Sequence, residues 1–464
     1  MIGVRCEEIA AAVQGELVGV DPAAVVDGAV VIDSRAAGPG GLFVALPGER
    51  VDGHDYVGTA TEAGATVSLT TRPIDGCPCI VVGDARKALG DLARLVISRL
   101  PELTVIGLTG SSGKTSTKDL IAQLIRPYGE TVSPEGSFNN EIGHPLTALQ
   151  CTESTKFLIA EMGARHAGDL VYLSGITPPK VGLVLNVGTS HIGEFGSQDN
   201  IAQAKGELIE AVVPGGTAVL NADDPRVAAM ASRTTERVLT FGEDDSADIR
   251  GTGLELDGEG RPSFTLRIGD FSREVQLKFI GEHYVSNALG AATVAHAVGL
   301  TPEQIADGLA AAAPISAARM EIVERADGVT IINDAFNANP DSTRAALKAL
   351  VAIGRSRGAR TWAVLGEMLE LGDTSTEEHD AIGRLVVRLD VNRLLVVGEG
   401  AKPIHLGASL EGSWGNESAF VPTIPEALEV LRTELRKGDV VLVKSSKASK
   451  LRSLAEALIE EGAR

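Results

Sequence analysis

The chain alternates between short, nearly uninterrupted apolar runs and longer stretches in which apolar residues recur every three or four positions. The first kind reads as strands buried on both faces, the second as helices laid over them. Between residues 102 and 314 the runs are Thr104–Leu108, Phe157–Gly163, Val181–Gly188 and Thr217–Asn221, with helical patterns between them, and Tyr284–Gly299 is a helix with alanines on its packing face. This alternation predicts a parallel sheet covered on both faces, with functional groups at the carboxyl ends of the strands. The segment 110–115, Glu161 and His191 all fall there. Asp245–Lys278, more polar, reads as a hairpin insertion without chemical content.

On either side the pattern changes. Residues 1 to about 100 supply strand candidates at Gly41–Leu46, Ala65–Leu69 and Ile80–Gly83, then a helix from Ala88 to Leu100 that Pro101 closes. Arg35 and His54 stand at strand ends in this part, where ordinary turn polarity is the plain reading. Ala310–Ala318 reads as a linker, and beyond it the alternation restarts at Val329–Asn333, Thr361–Leu365, Arg393–Val397 and Asp439–Val443. A restart after a linker indicates a second doubly wound domain rather than an extension of the first. A chain of 464 residues is also too long for one core. The expected fold class is α/β in three domains, 1–101, 102–314 and 315–464.

Composition narrows the functional classes. With 44% hydrophobic and 3% aromatic residues the chain suits an Ala/Val/Leu-rich α/β protein. No apolar run approaches the roughly 18 residues of a membrane span. Met1–Glu8 carries acids where a signal peptide would be apolar, so a cytoplasmic location without membrane insertion is expected. A net charge of −20 opposes binding to nucleic acid or acidic membranes through a broad basic face. An anionic substrate must therefore be held by local devices. Cys77 and Cys79 are too close for an easy disulfide, and with Cys6 and Cys151 they read as inert thiols.

The strongest local device is the turn Thr109-Gly-Ser-Ser-Gly-Lys-Thr-Ser116 between the run ending at Leu108 and a helical pattern through Leu120, Ile121, Leu124 and Ile125. Strand, glycine turn and helix are the setting of a phosphate loop. Gly110 and Gly113 allow backbone N–H groups to approach phosphate, the helix start adds positive potential, Lys114 is a cation and Thr115 can offer a hydroxyl to Mg²⁺. The usual spacing G-x-x-x-x-G-K-[ST] fails, because Leu108 stands five before Gly113. The loop belongs to a shorter subtype.

That loop, Ser137-Phe-Asn-Asn-Glu-Ile-Gly-His-Pro145, Glu161-Met-Gly163, Asn186-Val-Gly-Thr-Ser-His191, Ala202-Gln-Ala-Lys-Gly-Glu207 and Asn333-Asp-Ala-Phe-Asn-Ala-Asn-Pro340 together resemble the Mur ligases, which extend the cell-wall precursor peptide. The resemblance runs from about Asp33 to Leu454. It implies an N-terminal α/β module for the UDP end of the substrate, a central phosphate-loop ATPase domain and a C-terminal Rossmann-like domain. Asn-Ala-Asn-Pro and Leu365-Gly-Glu-Met-Leu-Glu-Leu-Gly372 resemble the members that add D-alanyl-D-alanine to the UDP-N-acetylmuramoyl-tripeptide. The Asp-Asn-Pro-Arg of third-residue adders is absent, and so is the guanine-reading Asn-Lys-x-Asp of a GTPase switch. A ligase with another amino-acid donor is the nearest alternative.

The resemblance also implies the chemistry. ATP would phosphorylate the tripeptide carboxylate and the dipeptide amine would displace phosphate, so cations and positioning dominate. Lys114 would stabilise the transferring phosphoryl group, and Gly110, Ser111, Ser112, Gly113, Lys114, Thr115 and Ser116 would hold the phosphates. Asn287, Arg319 and Asp334 would meet base and ribose. Two Mg²⁺ ions are implied, with Thr115, Glu161, His191 and Lys205 as their ligands. Alone, His191 reads as a strand-end core residue and Lys205 as a solvated lysine on an Ala-rich helix. In the family the matching lysine is carbamylated, which turns a cation into a metal-seeking anion. Ser34 and Arg35 are the expected UDP-side contacts, Asn139 and Asn140 the muramoyl-peptide contacts, and Asn337 and Asn339 the dipeptide contacts. Tyr284 stands where the family usually has asparagine. Lys444-Ser-Ser-Lys-Ala-Ser-Lys450 replaces a Lys-Gly-Ser-Arg stretch, and its lysines read as a solvated helix start. A monomer is expected.

Overall fold

The computed structural model describes residues 1–48, 51–134, 136–412 and 417–462. Three principal sheets follow one another along the chain, beside a two-stranded ribbon of Val4–Arg5 and Val25–Val26. The N-terminal sheet runs, edge to edge, Glu16–Val18, Cys79–Val81, Val67–Thr70, Leu42–Val44 and Val30–Val31, antiparallel only at its first pair. Helix Ala85–Ser98 buries Leu89, Leu92, Ala93 and Val96 on one stripe. Its other contacts reach the central unit. Gly90 lies so near Tyr172 that a Cβ would stand 2.4 Å from the phenol oxygen, and Arg94 Nε donates to the Gly175 carbonyl at 2.8 Å.

Among the described residues the central sheet has nine strands, with Thr104–Thr109 between Phe157–Glu161 and Val181–Val184. Its buried β-branched and leucine positions, Val105, Ile106, Leu108, Ile159 and Leu183, explain the continuous apolar runs. Helices Lys114–Ile125 and His283–Ala297 pack together over it, the latter through Ala288, Ala291, Ala292 and Ala295, whose small side chains permit close approach.

Asp245–Lys278 is not a separate insertion. Ile249–Leu256, Pro262–Ile268 and Phe271–Gln276 extend the central sheet by three strands, the last two antiparallel. Phe264, Leu266 and Ile268 alternate inward with solvent-facing neighbours, so the polarity reports one wet face, not an excursion.

The C-terminal sheet runs Glu321–Glu324, Thr330–Asn333, Val440–Lys444, Thr361–Leu365, Arg393–Val397 and Ser418–Val421, parallel except for its first strand. The preceding linker is tied to the phosphate-loop helix. Gln123 donates to the Ala313 carbonyl and accepts from its N–H, both at 3.0 Å, and Ser316 Oγ donates to Asp119 at 2.5 Å. Among the described residues, no helix is long and apolar enough to cross a membrane. The four cysteines are free.

Candidate active site

A cleft of about 1230 Å³ opens between the carboxyl ends of the central strands and the C-terminal sheet. Strand Thr104–Thr109 ends in the loop, and Gly113, with φ +78°, starts helix Lys114–Ile125. Lys114 Nζ folds back onto the Gly110 carbonyl at 2.6 Å. Its pKa is lowered by burial, against the pull of Glu161 and with a further push from Arg319. Thr115 Oγ1 donates to Glu161 Oε2 at 3.0 Å and accepts from Arg319 Nη2 at 2.8 Å. Asn139 Nδ2 donates to Glu161 Oε1 at 2.8 Å, so both oxygens of this buried carboxylate are engaged.

Further residues enter from the C-terminal unit. The Arg319 guanidinium stacks 4.2 Å over the Phe336 ring. Lys444 Nζ lies 2.6 Å from Asp334 Oδ2 and donates to the Asn337 carbonyl at 3.0 Å. Lys444 is thus a buried strand-end cation rather than part of a solvated helix start, while Lys447 lines the cleft. In a chain of net charge −20, these lysines and Arg319 with Lys114 create the local positive potential that an anion needs.

The cleft is lined by Ser111, Ser112, Gly113, Lys114, Thr115, Ser116, Asn139, Asn140, Glu161, His191, Asn287, Arg319, Asp334, Asn337 and Asn339. Some of them also have structural duties. Asn140 Oδ1 accepts from Gly143 N at 2.9 Å, and Asn339 caps helix Pro340–Arg357 through Ser342 N at 2.8 Å while its Nδ2 reaches the Ser111 carbonyl at 3.4 Å. Asn287 packs so closely on Gly113 that a Cβ there would stand 2.3 Å from its Oδ1. Tyr284 is buried against Phe279, with ring centroids 4.8 Å apart, its hydroxyl 3.3 Å from Ser116 Oγ and its pKa pushed up to about 12 by burial.

His191 and Lys205 are held differently. His191 has φ +61°, and its Nδ1 lies 2.5 Å from Glu370 Oε2, an electrostatic contact rather than an aligned hydrogen bond. Arg165 meets the other oxygen of Glu370 at 3.1 Å, and the His191 ring beside Glu370 holds its carboxyl below the usual range. The structure therefore joins Thr115 with Glu161 and, separately, His191 with Glu370. Lys205, only 2% exposed, lies outside the cleft lining. It has no hydrogen bond or ion pair among the described residues, and burial, then the charge of Lys114, drive its pKa well below the ordinary lysine value. Ser34 and Arg35 sit in the N-terminal unit away from this cleft, Ser34 buried and Arg35 exposed on Asp33.

Four contributors carry no role in the sequence reading: Asn186, Glu207, Asp341 and Glu370. Glu207 accepts from Gly168 N at 2.8 Å and Val171 N at 3.4 Å, capping helix Asp169–Ile176. Asp341 accepts from Thr189 N at 3.2 Å across the cleft. Asn186, Glu207 and Glu370 lie inside the recognised motifs, and that was their only signal.

The sequence matches the Mur ligase family catalytic domain over residues 28–95, the Mur ligase middle domain over 108–295, and the Mur ligase glutamate ligase domain over 318–447. It is 49% identical to the UDP-N-acetylmuramoyl-tripeptide--D-alanyl-D-alanine ligase of Mycobacterium tuberculosis, covering 99% of this chain and 98% of that protein. The Escherichia coli enzyme of the same name is 33% identical over the full length of both. Among solved structures, MurF from Acinetobacter baumannii superposes with TM-score 0.89 at 32% identity over 99% of each chain. MurF from Thermotoga maritima in complex with ADP gives 0.81 at 27% identity over 94% of this chain and 98% of that one. With its three sheets, its short phosphate loop and relatives matched end to end, this chain belongs to the Mur ligase family.

Proposed function

We propose that this protein is the ATP-dependent ligase that joins D-alanyl-D-alanine to UDP-N-acetylmuramoyl-tripeptide in peptidoglycan precursor synthesis. The observation that carries the reading is one cleft in which a phosphate loop, an engaged glutamate and cations from two sheets converge. A nucleotide switch has no use for the second set.

ATP is a substrate. The tripeptide carboxylate attacks the γ-phosphorus and ADP leaves, giving an acyl phosphate. The dipeptide amine then adds to the acyl carbon, and phosphate departs as the amide forms. Lys114, freed from the Gly110 carbonyl, offsets charge on the transferring group, and Arg319 orients Thr115 and supports the nucleotide from the C-terminal side. Asn287 and Asp334 face the base and ribose, Asn139 and Asn140 the muramoyl-peptide, Asn337 and Asn339 the dipeptide, and Ser34 and Arg35 the UDP end.

The oxygen pair of Thr115 and Glu161 suits Mg²⁺, which prefers hard oxygen donors. Among the described residues no three His, Cys, Asp or Glu side chains cluster, so a second ion at Glu161 and His191 needs another anion. Lys205, buried, partnerless and disposed to be uncharged, suits reaction with CO₂ to give a carbamate. When bound, Mg²⁺ supplies charge neutralisation among the phosphate oxygens. Units 1–101, 102–314 and 315–464 act as three domains hinged near 101 and 314. A monomer working in the cytoplasm completes this reading.

The test is phosphate release with ATP, UDP-N-acetylmuramoyl-tripeptide and D-alanyl-D-alanine, each omitted in turn. Turnover should require all three, and robust release without the dipeptide would refute the ligase.

A further inference from the structure

The loop from Gly110 to Gly113 has two residues between its glycines where the longer phosphate loops have four. A turn this short has little backbone with which to hold itself open, and its amides are held from outside. Ser111 N and Ser112 N each donate to Asn186 Oδ1 at 2.9 Å, and Ser111 N also lies 3.1 Å from the Asn186 carbonyl. Asn186 Nδ2 returns a bond to the Ser112 carbonyl at 3.3 Å.

Asn186 is itself fixed. Strand Val181–Val184 pairs with the loop strand up to Val184 opposite Thr109, and Leu185 N continues that pairing to the Thr109 carbonyl at 3.0 Å. On the other side Asn221 Nδ2 holds the Leu185 carbonyl at 2.8 Å, and Asp224 accepts from Val187 N at 2.7 Å. Just beyond, Gly188 N donates to Ser111 Oγ at 2.9 Å. Ser111 and Ser112 therefore spend their N–H groups inside the protein, which leaves the N–H groups of the helix start at Gly113, Lys114 and Thr115 to receive phosphate.

We propose that Asn186 is a positioning residue for the nucleotide. Its side-chain amide substitutes for the two loop residues this subtype lacks and holds the turn in its phosphate-receiving shape. The chemistry favours an amide over a carboxylate. A neutral oxygen accepts two N–H groups without setting a negative charge beside the phosphates, and only an amide can also donate to the Ser112 carbonyl. The proposal rests on ATP binding at this loop.

Asn186→Ala and Asn186→Asp are compared with the parent by nucleotide calorimetry and by hydrogen exchange of the 108–116 peptide without nucleotide. In Asn186→Ala, affinity for ATP and ADP should fall roughly tenfold or more, as expected for the loss of all three side-chain hydrogen bonds to the loop, and loop exchange should accelerate. Affinity for the UDP-linked substrate should stay within about twofold, which separates positioning from general damage. Asn186→Asp keeps the oxygen that accepts both N–H groups but loses the bond to the Ser112 carbonyl, so its loop should exchange more slowly than that of the alanine variant while ATP binds more weakly than to the parent; this variant carries the test if the alanine variant does not fold. Unchanged ATP affinity and exchange in Asn186→Ala would overturn the proposal, as would tighter ATP binding, which would make the oxygen a placeholder displaced by phosphate. A parent that binds no ATP would instead refute the functional reading on which the proposal depends.

Discussion

Gly113→Ala is the sharpest single perturbation of the nucleotide site. Gly113 sits at φ +78°, a left-handed conformation that costs an L-residue roughly 1–2 kcal/mol. Its added methyl would stand 2.3 Å from Asn287 Oδ1 and 3.2 Å from Asn287 Cγ. Asn287 is 5% exposed and has no room to withdraw freely, so overpacking adds roughly 1–3 kcal/mol. The sum, roughly 2–5 kcal/mol, falls on the conformation in which the loop and Asn287 meet. If the variant relieves it by giving up that conformation, ATP affinity falls by about thirtyfold or more. If the strain stays in the fold, it appears as a lower melting temperature. Calorimetric titration with ATP, paired with thermal melts with and without nucleotide, measures both. A variant that binds ATP within about threefold of the parent and melts at the same temperature would refute the reasoning.

Lys205→Ala should lose turnover by roughly 10- to 100-fold or more, the scale of removing a group that supports a metal, and short carboxylic acids should restore part of it; unchanged activity would end the carbamate assignment. Treatment with a chelator should abolish turnover and added Mg²⁺ should restore it, measured as phosphate release. His144, buried beside Thr177, has its pKa lowered by burial from 6.5 to about 4, so the folded state binds fewer protons than the unfolded one. Its contribution is present above pH 6.5 and is lost as pH falls towards 4, roughly 3 kcal/mol in all; half-buried His283, also lowered to about 4, adds a smaller amount in the same direction. Urea melts from pH 7 to 4.5 should show this loss, and His144→Gln should flatten it.

Strands buried on both faces were the most legible part of the fold. Thr217–Asn221, Thr361–Leu365 and Arg393–Val397 begin and end where their apolar runs do, because flanking helices leave no wet face. Edges were harder to read. Glu321–Glu324 is half exposed and Thr131–Val132 has two residues, so neither carries a period. In Pro262–Ile268 the true alternation was masked by the polar face and read as an insertion. In the site, the loop, Glu161 and His191 were legible because strand ends mark them. The contacts of Asn186 with Ser111, of Glu370 with His191 and of Lys444 with Asp334 were not, since each joins residues distant in sequence whose meeting depends on how whole sheets pack.

The central claim is that ATP is used here to activate a carboxylate. It is tested most directly with UDP-N-acetylmuramoyl-tripeptide carrying ¹⁸O at both oxygens of the reacting carboxyl group, turned over with ATP and D-alanyl-D-alanine, and the released phosphate weighed by mass spectrometry. An acyl phosphate requires one carboxylate oxygen to leave with the phosphate, so each phosphate should carry one ¹⁸O. Phosphate free of the label, with its new oxygen drawn from water, would contradict the account.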